Sequence, residues 1–268
     1  MNYLILLAIL PSILLGLYVY KMDVIEKESK MLLAILFVLG VVSTIPALFM
    51  EELLINIFPI EEIDMQTKIA AAFFKAFFMA GMVEESYKWA LTYFYTWKHK
   101  EFNHVYDAIV YAVFVSLGFA TIENIFYVTT FGFKVGITRA IFSVPGHVFF
   151  AVAMGLLMGR AKHAEIDGNS KLSLKYKIGS LAIPIILHGI FNFCLFMESD
   201  SLILFYIIFV ISLYVFSIWN INKIAKTSTM LYNNKSKLEI VPVSGKKFCT
   251  TCSAMNEGIF CSNCGERI

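Results

Sequence analysis

The chain has 268 residues, 59% of them hydrophobic and only 16% charged, with a net charge of +2. Ordinary soluble domains carry about 25% charged residues, so this composition excludes a soluble globule and points to an integral membrane protein. The near-neutral balance gives no case for a nucleic-acid-binding face.

Apolar runs long enough to cross a hydrocarbon core, about 20 residues each, recur along the chain. The first covers 1–20. It has no basic stretch before it and no small-residue cleavage site after it, so it reads as a retained span rather than a signal peptide. The loop "KMDVIEKESK" follows, with Lys21, Lys27 and Lys30. A second span covers 31–50, and the next loop, "EELLINIFPIEEIDMQTK", is mostly acidic. The third span, 69–97, holds "GMVEESYKWALTYFY" and ends at Lys98 and Lys100. Spans four and five cover 105–130 and 137–159 across a short, nearly neutral loop. Gly155 and Gly159 in span five form a G-x-x-x-G pattern, which lets helices approach closely. The fifth loop carries Arg160, Lys162, Lys171 and Lys175; span six covers 178–197, and "ESD" leads to span seven at 201–222. The expected fold is an all-α polytopic membrane protein of about seven transmembrane helices. Basic loops alternate with acidic or neutral ones, which places loops one, three, five and the C-terminal tail in the cytoplasm and the N-terminus outside.

Beyond span seven, 223–247 is polar and reads as a linker. Residues 248–268 then carry Cys249, Cys252, Cys261 and Cys264, spaced as C-x2-C, eight residues, C-x2-C. Two tight thiolate pairs suit tetrahedral zinc, and metal binding would supply the folding energy of a segment too short for a core. In the reducing cytosol such a pattern favours metal over disulfides. The expectation is a small zinc-ribbon that docks a cytoplasmic protein partner. The fifth cysteine, Cys194, reads as a packed apolar residue.

Ionisable groups within spans are expensive and face a bundle interior or a wet cavity. Span three holds Glu84, Glu85 and Lys88; span four holds Glu123 and Asn124; span five holds His147; span six holds His188 and Asn192. Four successive spans thus contribute to one polar core. Glu84 and Lys88, four apart, share a helix face, as do His188 and Asn192. At 1.5 Å per residue, His147 and His188 each lie roughly 15 Å from a span end, near mid-membrane, whereas Glu123 lies about 27 Å from the inner end of span four, so it either fits the cluster less directly or span four starts later. Two histidines and a carboxylate can hold a hydrolytic metal and leave a position for water. Without metal, a buried glutamate beside a histidine can activate water itself. Asn192 can donate to the oxygen of a tetrahedral intermediate, and Lys88 can keep the paired glutamates ionised. A glutamate–lysine pair one turn apart can also do no more than neutralise itself, and a single histidine can do no more than bond a neighbouring helix. Asn124 and Tyr127 read as supporting or packing groups.

These residues carry a resemblance. "EESYK" matches E-E-x-x-K, "FATIEN" matches F-x-x-x-E-N, His147 matches a single-histidine motif and "HGIFN" matches H-x-x-x-N. Their order on consecutive spans resembles the PrsW family of bacterial intramembrane proteases, itself similar to the CAAX-prenyl-protease-like membrane enzymes. The match runs from about residue 1 to 222 and leaves the zinc-ribbon outside it. It implies peptide-bond hydrolysis of a membrane-anchored protein in the bilayer, with an anti-sigma factor as the substrate of the founding members. It also implies that Glu84, Glu85, His147, His188 and Asn192 form the catalytic set. Where the broader CAAX group has a histidine four residues after phenylalanine, this chain has Glu123 after Phe119, so the wider group's mechanism does not transfer directly. A catalytic divalent metal and a glutamate-activated water both remain open. An ion- or proton-coupled transporter and a zinc-ribbon-tethered membrane scaffold are the rival classes.

Overall fold

Apolar stretches of this length form helices because only intra-segment hydrogen bonds satisfy the backbone in hydrocarbon. A computed structural model describes residues 2–59, 64–227, 231, 247–248 and 255–256. Its helices are α1 (Asn2–Met22), α2 (Lys30–Ile57), α3 (Met65–Phe73), α4 (Glu85–Thr96), α5 (Val105–Phe131), α6 (Phe133–Ile141), α7 (Ser143–Ile166), α8 (Ser170–Phe196) and α9 (Asp200–Thr227). Residues Phe74–Glu84, between α3 and α4, continue the helix in π form.

Polar caps set the helix starts. Ser29 accepts from Leu32 N at α2, and Asn169 accepts from Leu172 N at α8. Asp64 and Thr67 form a reciprocal capping box at α3. Asp107 takes the backbone N–H groups of Asn103 and His104 at 2.9 and 2.6 Å, closing the start of α5. Each contact satisfies a donor that the first helical turn would leave orphaned. Gly168, at φ +76°, ends α7 in the left-handed conformation that glycine adopts without penalty.

The centre of the bundle is α5, packed between α2 and α7. Both crossings depend on glycine. A Cβ at Gly40 or Gly118 would fall under 3 Å from backbone of the facing α5 or α2, and one at Gly155 or Gly159 would do the same against α5. The G-x-x-x-G pattern of span five is therefore a real contact stripe. The outer helices turn apolar side chains outward, as at Leu204, Ile211 and Val215 of α9. In water such a surface would be a liability; in a bilayer it is the lipid face. Cys194 is buried, as a packing residue should be.

Six helical stretches among the described residues are long and apolar enough to cross a membrane: those of α1, α2, α5, the joined α6–α7, α8 and α9. The protein is a multi-pass membrane protein. The expected third span, 69–97, differs from the reading of the sequence. It is α3, the π segment and α4 run head to tail, and its polar residues fall where π geometry gives way to α. π-helical stretches are rare and gather at functional sites.

Residues 232–268 form a unit separate from residues 1–231. Within it, β1 (Lys247–Phe248) pairs antiparallel with β2 (Met255–Asn256), setting Lys247 opposite Asn256. The four tail cysteines lie outside the described residues.

Candidate active site

The third-span motif becomes a buried ion cluster. Lys88, 1% exposed, donates to Glu84 Oε2 at 3.0 Å and Glu85 Oε1 at 2.8 Å, and its Nζ lies 3.1 Å from His147 Nδ1. The ammonium also sits 4.2 Å from the centre of the Phe119 ring, a favourable cation–π placement. His188 Nδ1 bonds Glu85 Oε1 at 3.0 Å, and Phe150 stacks on the His188 ring at 4.8 Å. Isolated buried charges would cost several kcal/mol each, and mutual pairing with hydrogen bonds is what makes this cluster tolerable.

Backbone approach sets the register. The π segment packs against α8 through Gly81, where a Cβ would lie 2.9 Å from Ile185 O. That close contact brings Glu85, one turn on, within reach of His188.

The structure brings together Glu84, Glu85, Lys88, His147 and His188, and it adds Glu123. The sequence left Glu123 between a looser place in the cluster and a later start of span four; its Oε2 lies 2.8 Å from His147 Nε2. Asn124 is fully buried and donates to Ala8 O of α1 at 2.8 Å. Asn192 makes no hydrogen bond among the described residues; it lines a cavity of about 510 Å³ together with Glu51, Glu84, Glu123 and Arg139. Glu84 belongs to both the ion cluster and the cavity wall, whereas Glu85 is fully buried behind it.

Two lining residues escaped the sequence reading. Arg139 lies within the expected fifth span, and an arginine inside a span is itself a signal. Glu51 lies at the end of a span, where carboxylates are common and carry little information.

Glu84, Glu85 and His147 each offer a ligand atom within 4.8 Å of the others. One imidazole and two carboxylates suit a catalytic divalent ion with a position left for water, and Glu85 Oε2 is buried without a hydrogen-bond partner. The donor set therefore fits such an ion. Lys88 Nζ, which contacts the same three side chains, is the cation the ion would displace.

With this geometry in view, the sequence comparisons are decisive. Residues 28–219 match the family described as PrsW family intramembrane metalloprotease. The chain belongs to the PrsW family. It is 36% identical to Protease PrsW of Oceanobacillus iheyensis over 70% of this chain and 80% of that one. It is 34% identical to Protease PrsW of Clostridioides difficile over 87% of this chain and 92% of that one. It is 32% identical to Protease PrsW of Shouchella clausii over 83% of this chain and 97% of that one. No solved structure matches it. The chain is thus a membrane-embedded peptidase, and the family favours this reading over a carrier or a scaffold.

Proposed function

We propose that this PrsW-family protease hydrolyses a peptide bond of single-span, membrane-anchored proteins, and that an anti-sigma factor is the leading candidate substrate. The observation that carries the residue assignment is the double position of Glu84, on the cavity wall and in hydrogen-bond contact with Lys88. A water in the cavity gives a proton to the Glu84 carboxylate as its oxygen attacks the peptide carbonyl carbon. Asn192, whose amide is free, donates to the developing oxyanion. The Glu84 carboxyl then returns the proton to the leaving nitrogen as the C–N bond breaks. Lys88 pairs with both glutamates, Glu85 orients Lys88 and His188, and His147 holds the far side of the ammonium. Glu84, Glu85 and His147 would hold a divalent ion, which when bound would polarise the carbonyl and lower the pKa of a bound water.

In the proposed seven-span orientation the N-terminus is outside and the tail cytoplasmic. The cavity is lined by the C-terminal halves of α2, α5 and α8, which lead outward in that orientation. It therefore receives the scissile segment from the outer half of the bilayer. In the tail, Cys249, Cys252, Cys261 and Cys264 hold zinc and form a docking module for a cytoplasmic protein.

The test is co-expression with a panel of single-span membrane proteins, comparing the native chain with Glu84→Gln and His188→Ala at matched membrane levels. Fragments that form with the native chain and vanish with both variants support the reading. Full cleavage by Glu84→Gln would sink it.

A further inference from the structure

Arg139 belongs to none of the motifs that mark the family in this sequence, yet it ends a chain of polar contacts that begins at Lys88, joined to it through hydrogen bonds and one ion pair. The direction follows from donor chemistry. A lysine ammonium only donates, so His147 Nδ1, 3.1 Å from Lys88 Nζ, accepts with its lone pair. His147 Nε2 therefore carries the ring proton and donates to Glu123 Oε2 at 2.8 Å. Arg139 Nη2 lies 3.1 Å from that same Oε2 and pairs with it as an ion pair rather than a hydrogen bond. Glu123 is thus held from both sides on one oxygen.

Arg139 is itself fixed. Its Nε donates to Asn124 Oδ1 at 3.0 Å, and its guanidinium carbon lies 4.0 Å over the Tyr127 ring. Glu123, Asn124 and Tyr127 form one turn of α5, so a single turn grips the arginine at three points. The side chain is 12% exposed. A cation buried in a membrane protein is retained where it has a partner and a role.

We propose that Arg139 is a positioning residue for peptide hydrolysis: by anchoring Glu123, it locks His147 in the Nε2–H tautomer, with the Nδ1 lone pair turned toward Lys88 and the paired glutamates. The inference rests on the protease reading of the same site. Without Arg139, Glu123 keeps one partner and gains freedom to rotate. The imidazole then loses the fixed acceptor that, together with the Lys88 ammonium, selects its tautomer, as happens when the carboxylate behind a functional histidine is disturbed. A simple clip between α5 and α6 would use the same contacts to Asn124 and Tyr127 but would not need the oxygen that His147 uses.

The test uses the full chain in proteoliposomes with a single-span reporter that the native chain cleaves, at one fixed pH. Arg139→Gln should lower kcat by about 10- to 100-fold, the usual loss for a disturbed supporting partner, with KM within about twofold. Arg139→Lys, which can still reach Glu123, should recover most of that loss. The double variant Arg139→Gln, Glu123→Gln should be no slower than Glu123→Gln alone, because both changes break one chain. The ¹⁵N ring signals of His147 should show one tautomer in the native chain and a mixture in Arg139→Gln. Multiplying losses in the double variant, or an unchanged tautomer with reduced cleavage, would overturn the proposal in favour of a structural clip. If Arg139→Gln fails to accumulate, Arg139→Lys decides: its loss must disappear in the Glu123→Gln background, and persistence refutes the coupling. If the native chain cleaves no reporter, the protease reading fails, and the tautomer's dependence on Arg139 is still measured by the ring signals.

Discussion

Gly81→Ala tests how closely the site depends on the approach of the π segment to α8. A Cβ at Gly81 would lie 2.9 Å from Ile185 O and 3.0 Å from Ala76 O. Both neighbours are backbone, so neither can rotate away. Ordinary contact begins near 3.4 Å, so relief demands about 0.5 Å of separation between the segment and α8. Carried to the site, that shift stretches the Glu85–His188 bond from 3.0 Å to about 3.5 Å, where a side-chain hydrogen bond is lost. A 1 Å misplacement can cost about 100-fold in rate, so half of that should cost on the order of tenfold. Overpacking should also destabilise the bundle by about 1–3 kcal/mol, offset by up to about 1 kcal/mol of helix propensity gained by alanine. The assay is reporter cleavage in membranes at matched protein levels, with thermal unfolding in detergent beside it. Gly179→Ala, on α8, is the control, because its Cβ would meet only the Leu157 methyl of α7 at 3.6 Å. Full cleavage by Gly81→Ala with an unchanged melting temperature would refute the reasoning that this contact sets the geometry.

Asn192→Ala should reduce kcat by about 100- to 1,000-fold, the scale of losing one oxyanion donor, while leaving the melting temperature unchanged because Asn192 bonds no described residue. Burial and the nearby Asp107 push the Glu28 carboxyl up to about 9, above its ordinary value near 4.5, although Tyr111 donates to it at 2.6 Å. Its folded pKa is raised, so its contribution to stability is full below about 4.5 and is lost as pH rises toward about 9. Melting temperatures from pH 5 to 9 should therefore fall less steeply for Glu28→Gln than for the native chain, and parallel curves would count against the raised value. Cys249→Ser with Cys264→Ser should remove one zinc per chain by elemental analysis and leave reporter cleavage intact; an unchanged zinc content would refute the four-thiolate site.

Much of the site was legible because charge is conspicuous in an apolar chain. Glu84, Glu85, Lys88, His147 and His188 stand out for the energy it takes to bury them, and the i, i+4 spacing of Glu84 and Lys88 correctly anticipates their contact. Six of the seven expected spans were legible from run length alone, each matching a long apolar helix among the described residues. What sequence spacing does not carry is how helices cross. Rise along one helix left the fit of Glu123 open, because its neighbour His147 belongs to another helix, which approaches α5 closely at Gly155 and Gly159. The π segment was equally hidden, since no local signal separates Phe74–Glu84 from an ordinary apolar helix. Arg139 was visible but unread, because its importance comes from Glu123 and Asn124 on a different helix.

The chain of hydrogen bonds and one ion pair from Ala8 through Asn124, Arg139, Glu123, His147, Lys88 and Glu85 to His188 runs from α1 to α8. No nascent chain ending before α8 contains a complete site. A protease of the bilayer is surrounded by other proteins' membrane segments and by its own throughout synthesis. Its polar machinery is divided among helices that arrive in sequence, so the connected set closes only when α8 is in place.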